Sequence, residues 1–195
     1  MKTNTNHILP TAFALLGCVM LAGCLSPAPK APTQWLIEPL GVSLNKEEAL
    51  QSPSVMRLGR LIVLSPYDKT AIAVRRVNGS VAFDEFNAFA APPSSLLKDA
   101  ALSQLKSSAR NTVALPRESK AKEESEWEII VHKLYLDCQT EGERIAKVEL
   151  TAISLSPNRT VTYSATAVGD CNAFDGNYSK AFSEAFAKAL RQALK

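Results

Sequence analysis

The last third of the chain constrains the fold more than any other stretch. Trp127–Asp137, Arg144–Leu155 and Thr160–Val168 are three runs rich in branched and aromatic residues, separated by short polar turns. In the third run Val161, Tyr163, Ala165 and Ala167 alternate with Thr160, Thr162, Ser164 and Thr166, which gives one apolar and one solvated face. In the second, Val148, Leu150 and Ala152 point to the core, opposite Lys147, Glu149 and Thr151. Ile153 and Leu155 break that phase, and a bulge near Ala152 would explain it. From Asn177 to Leu194 the period becomes helical, with Phe182, Phe186, Leu190 and Leu194 four residues apart. Asp175 or Asn177 can cap this helix, and Lys188, Arg191 and Lys195 sit toward the negative end of its dipole. A stripe of aromatic and small residues suits packing on a sheet better than lying on a membrane.

Upstream the pattern is shorter in period. Gln34–Ile37 opens a strand, Asn45–Leu50 can make a capped helical turn, and Val55–Leu64 is a branched apolar run ending in the Ser65-Pro66-Tyr67-Asp68 turn. Ile72–Val77 and Ser80–Phe86 flank Asn78-Gly79, a hairpin signal because both residues tolerate positive φ. A helix follows Pro92-Pro93, with Ser94 or Ser95 as cap and Leu97, Ala101, Leu102 and Leu105 on its apolar face, running to about Ser108. Asn111–Leu115 is a further short strand, and residues 116–126 form a solvated, charge-rich loop. The expected architecture is α+β: a mixed, largely antiparallel sheet with two main helices packed on it.

A chain of 195 residues, 46% hydrophobic and 21% charged, suits one globular domain. Its net charge of +3 is small and dispersed, which argues against a nucleic-acid partner. The amino terminus stands apart from this average. Ile8–Leu21 is uncharged and, at roughly 14 residues, matches a signal-peptide apolar region and falls short of a membrane span. Leu21-Ala22-Gly23-Cys24 directly after it resembles a bacterial lipobox. That resemblance implies removal of residues 1–23, with a diacylglycerol on the Cys24 sulfur and an acyl group on its new amino terminus. Several acyl chains on one residue give stable anchoring, at about 0.8 kcal/mol per buried methylene. Leu25, where an Asp would signal inner-membrane retention, implies the outer membrane, facing the periplasm. Residues 24–33, with prolines at 27, 29 and 32, read as an extended tether, and 34–195 as the single folded domain.

Of four cysteines, Cys18 leaves with the signal and Cys24 is acylated. Cys138 and Cys171 remain, in an oxidising compartment that invites a disulfide. The expected hairpins put Arg144 opposite Cys171 and leave the cysteines one strand apart at one end of the sheet. Two strand spacings, nearly 10 Å, exceed the usual limit of about 7 Å, so loops would have to close the gap. A disulfide is expected, with two free thiols as the other reading.

No catalytic constellation emerges. Beyond Cys24 the one histidine is His132, in mid-strand, and one histidine with two cysteines does not assemble a usual zinc site. Nucleophile-elbow, Walker and dinucleotide glycine patterns are missing too. The sequence therefore points to a binding or scaffolding role, without enzyme activity, metal or cofactor beyond the acyl groups on Cys24.

One stretch is more specific. The apolar run from Leu58 ending in Ser65-Pro66-Tyr67-Asp68, the Ile72–Arg75 strand, and Phe83-Asp84-Glu85-Phe86-Asn87-Ala88-Phe89-Ala90-Ala91-Pro92-Pro93 leading into a Leu-rich helix resemble the ABC-type transport auxiliary lipoproteins, the PqiC-like family. Asp68 follows Tyr67 where that family has a Leu first, and Phe89 takes the place of a Trp. The resemblance implies an accessory subunit of an MCE-type ABC system that moves lipids between inner and outer membranes. Its partners would be an MCE-type periplasmic protein and the ABC transporter subunits, with Phe86 and Phe89 as candidate contacts, or as core residues packed before the helix. The same features also suit a lipoprotein of envelope assembly, such as an activator of a cell-wall enzyme or a secretion-pore component.

Overall fold

The computed structural model describes residues 30–40, 54–108, 112–119, 125–173 and 176–195. Cys24, the signal segment, most of the tether, the Asn45–Leu50 turn and Asp175 lie outside them. Among the described residues eight strands and two helices follow in order: β1 Thr33–Trp35, β2 Ser54–Val63, β3 Ala71–Arg75, β4 Val81–Phe89, α1 Pro93–Ser108, β5 Thr112–Leu115, β6 Ser125–Asp137, β7 Ile145–Leu155, β8 Val161–Asn172 and α2 Tyr178–Ala193. This is the expected α+β class.

All eight strands join one mixed sheet organised by β6. Along one side β6 pairs antiparallel with β7, which pairs antiparallel with β8. Along the other it takes two strands in succession, both parallel: β2 over its first half and β3 at Leu136 and Asp137. The β3–β4 hairpin and the parallel β1 extend the sheet past β3, and the parallel β5 extends it past β2. Gly79, at φ +80°, makes the hairpin turn that Asn78-Gly79 announces, and Asn78 accepts a hydrogen bond from the Ser80 N–H (3.0 Å).

Period-two alternation gives the sheet one apolar face, and both helices pack there. Ile129, Val131, Leu134 and Leu136 of β6 and Ala146, Val148, Leu150 and Ala152 of β7 are almost wholly buried. Against them α2 sets Phe182, Phe186, Ala189 and Leu190, all at 0% exposure. Stripping either ring to Ala would cost on the order of 3–5 kcal/mol in such a core. Asn177 caps α2, its side chain accepting from the Lys180 N–H at 3.0 Å. In α1, Leu97, Ala101 and Leu105 face inward at helical spacing. Its cap comes from a distance: Asp68 accepts from the Ser94 N–H and Oγ, both at 2.9 Å, so neither serine plays the expected role.

Two register details correct the sequence reading. The bulge in the β7–β8 pair falls between Ser154 and Leu155, beyond Ala152. Cys171 faces Ala146 rather than Arg144, while the Arg144 carbonyl accepts from the Ala173 N–H. That two-residue slip moves Cys171 about 7 Å along the sheet from Cys138, at right angles to the two strand spacings that already separate them. Both cysteines are free thiols, and the expected disulfide is not formed. The Cys171 thiol instead donates to Glu184 at 3.0 Å. Burial, then the hydrogen bond and charge of Glu184, push it up to about 11.

A candidate docking site on the β4 edge

The two aromatic residues singled out in the sequence part company in the structure. Phe89 is 3% exposed and stands edge-on to Phe182, with ring centroids 5.1 Å apart. It is a core residue, unavailable to a partner, because its ring packs against Phe182 of α2. Phe86 is 71% exposed.

The local chemistry explains why Phe86 stays outside. Between Ala71–Ala88 and Ala73–Phe83, one residue of β3 spans four of β4, so residues 84–87 bulge from the sheet. Asp84 holds that bulge from within. Its Oδ1 accepts from the N–H groups of Phe86 (2.8 Å) and Asn87 (3.1 Å), and its Oδ2 from Asn87 Nδ2 (3.0 Å). Asn87 Oδ1 in turn accepts from Trp35 Nε1 at 2.9 Å, tying the bulge to β1. The backbone donors that a bulge would leave open are satisfied by one carboxylate, and Phe86 is carried outward on the result.

Phe86 has apolar company. Among the described residues, Val77, Val81, Phe83 and Phe86 are exposed large hydrophobic side chains within ten positions of one another. Val81 and Phe83 share a face of β4, and Lys69 stands 5.0 Å over the Phe83 ring. β1 covers β4 only at Asn87–Phe89, so, among the described residues, 81–86 have no strand on their outer side. An unpaired strand edge flanked by exposed aromatics can accept an extended segment of another chain by strand addition. The sequence signalled Phe86 by its place before the helix. It did not signal Val81 and Phe83, whose exposure depends on β1 being too short to reach them.

The opposite, helix-free face of the sheet is polar. Asp137, at 6% exposure, accepts from Arg75 (2.8 Å) and Lys147 (2.7 Å). Burial opposes its charge, but the hydrogen bonds from Lys147, Arg75 and the Gln139 N–H prevail and hold its carboxyl below the usual value. His132 sits at the β6 bulge with Nε2 2.7 Å from Thr151 Oγ1, which lies 2.7 Å from Thr166 Oγ1. The described residues hold no cluster of metal-ligating side chains, and no described helix is long and apolar enough to cross a membrane.

Comparison with known proteins gives the fold. A Xanthomonas campestris protein of the family DUF330 is similar over 85% of this chain and 89% of its own, at a TM-score of 0.57 and 19% identity. An uncharacterized protein matches over 85% of this chain and 95% of its own, at 0.60 and 8% identity. A lipoprotein from Neisseria meningitidis, GNA1162, aligns over 66% and 90% at 10% identity, but its TM-score of 0.35 carries no weight. At these identities the first two likenesses establish a shared architecture and nothing about activity. No protein-family model matches the sequence, and no curated protein matches it.

Proposed function

We propose that this protein is a lipid-anchored, non-enzymatic accessory subunit of an MCE-type ABC transport system, which docks a periplasmic partner and supports lipid movement between the inner and outer membranes. The observation that carries the docking role is Phe86, exposed at the tip of a bulge whose every backbone donor named above is satisfied by Asp84. Solvent gains nothing from an aromatic ring held there, whereas an interface core is enriched in such rings. The lipobox at Leu21–Cys24 supplies the anchor, and the Pro-rich residues 24–33 would hold the domain on the order of 30 Å from the lipid surface. The resemblance between residues 58 and 105 and the auxiliary lipoproteins supports the transport setting.

A photo-crosslinking residue at position 86, in cells expressing the full chain, tests this reading. Crosslinks to an MCE-type protein, lost in a Cys24→Ala chain that is no longer anchored, are expected. Crosslinks to a cell-wall enzyme or a secretion pore would instead favour an envelope-assembly role, and no crosslink at all would remove position 86 from the interface.

A further inference from the structure

A second open edge belongs to β8. It pairs with β7, and among the described residues no strand lies along its other side. The Ala173 N–H donates to the Arg144 carbonyl, and the antiparallel pairing alternates from there. Gly169, Ala167 and Ala165 therefore turn their backbone groups toward β7, while Val168, Thr166 and Ser164 turn theirs outward. Edges of this kind are usually blunted by a lysine, a proline or a bulge. Thr160–Gly169 contains no charge and no proline, and its register with β7 is unbroken from Tyr163 onward. Val161, Tyr163 and Val168 are exposed along it.

The strand is its own complement. The charges that bound it are Arg159 at the amino end and Asp170 at the carboxyl end, where Lys188 of α2 pairs with Asp170. An antiparallel copy sets the Arg159 end of one strand beside the Asp170 end of the other, whereas a parallel match would oppose like charges. Tyr163, Ala165 and Ala167 stand opposite Ser154, Ala152 and Leu150, and so share the helix-covered face. The Tyr163 ring lies 6.1 Å from that of Trp127 and stays exposed, while the two alanines are half-buried. A two-fold axis at Ala165 puts each Tyr163 against the other copy's Ala167. On the opposite face it puts each Ser164 against the other copy's Thr166. An axis one residue on, at Thr166, would instead bring Tyr163 against Gly169, where the Ala185 backbone of α2 leaves no room even for a Cβ.

We propose that β8 pairs antiparallel with the β8 of a second copy of this chain, across a two-fold axis at Ala165, and so merges two sheets into one. The outward backbone groups of Ser164 and Thr166 then bond to those of Thr166 and Ser164 in the other copy, and the hydroxyls of each facing pair lie within reach of one another. Each Tyr163 ring covers a half-buried alanine that α2 leaves open. A two-fold contact uses the same patch on both chains, so this edge closes at two copies and cannot propagate into a fibre. The inference rests on β8 alone and holds whether or not Phe86 docks a transport protein.

Sedimentation equilibrium of the full chain in density-matched detergent tests it, with two double variants, Ser164→Lys with Thr166→Lys and Ser164→Glu with Thr166→Glu. The parent is expected to sediment as a dimer. Each double variant sets like charges directly opposite one another across the axis, and should dissociate at least about tenfold more readily at an unaltered melting temperature. An equimolar mixture of the two variants should recover the dimer, because lysine then faces glutamate. A photo-crosslinking residue at position 164 in cells should join two copies of the chain. A monomeric parent, a folded lysine variant that associates as tightly as the parent, or a mixture that stays monomeric overturns the proposal. So does a crosslink from position 164 to a different protein only, which would assign the edge to that protein.

Discussion

Gly169 of β8 and Ala185 of α2 meet backbone to backbone: a Cβ on the glycine would lie 1.9 Å from the Ala185 carbonyl oxygen and 2.6 Å from the Ala189 nitrogen. The contact sets how deeply α2 seats Phe182 and Phe186 into the sheet. Neither backbone atom can swing aside as a side-chain tip would. Gly169→Ala is therefore expected to cost about 3 kcal/mol, by lifting the helix or bending the strand. Urea unfolding followed by circular dichroism measures it, and a loss near zero would mean that the helix has room to shift.

Asp137 gives the fold an acid-sensitive joint. Its native carboxyl titrates below the ordinary value, so its contribution is complete above about pH 4 and is lost as pH falls through the depressed native value. Asp137→Asn removes the negative charge that Arg75 and Lys147 share and is expected to cost about 2 kcal/mol near neutrality. Unfolding curves of parent and variant should converge as pH is lowered toward about 2. A gap independent of pH would assign the loss to packing instead.

The thiols should persist in the folded protein. At about 11 the Cys171 thiol is thiolate in roughly one molecule in a thousand at pH 8. Alkylation of native protein is expected to be slow at Cys171 and faster in Glu184→Gln, which removes the neighbouring negative charge. Intact mass after unfolding and alkylation should show both Cys138 and Cys171 modified without reductant. A mass indicating a Cys138–Cys171 bond would require β7 to pair with β8 in a different register.

The bulge of β4 separates stability from contact. Asp84→Ala removes the acceptor of two backbone N–H groups and is expected to destabilise by about 1–2 kcal/mol. Phe86→Ala should change stability by less than about 0.5 kcal/mol, since the ring is largely in solvent. If Phe86 docks a partner, Phe86→Ala loses co-purification despite its intact fold. Equal recovery of the partner with parent and Phe86→Ala protein would place the interface elsewhere.

What the sequence disclosed follows from the range of the forces involved. The four-residue stripe of α2 is local and put Phe182, Phe186 and Leu190 in the core, whereas the alternation in Thr160–Ala167 held only for the half-buried Ala165 and Ala167, since Val161 and Tyr163 of the same set stay exposed. The Asn78-Gly79 turn is local as well. For Phe89 the sequence left core and contact readings open, because nothing near it in the chain announces Phe182, the ring that covers it. The cap of α1 was misjudged for the same reason, since Asp68 lies 26 positions away. The disulfide depended on counting residues through two turns, and a slip of two residues in the second pair was enough to separate the sulfurs.

The position of β2 carries a cost that the finished fold hides. Both of its neighbours, β5 and β6, come later in the chain, so a polypeptide emerging amino end first holds Ser54–Val63 with neither edge closed until residues 112–131 arrive. That run, Ser-Val-Met-Arg-Leu-Gly-Arg-Leu-Ile-Val, is strand-prone and would attract other nascent chains during the wait. Arg57 and Arg60 interrupt it with charge at the spacing of gatekeepers. Arg60 thus guards the chain before it is folded and stays exposed on its surface afterwards.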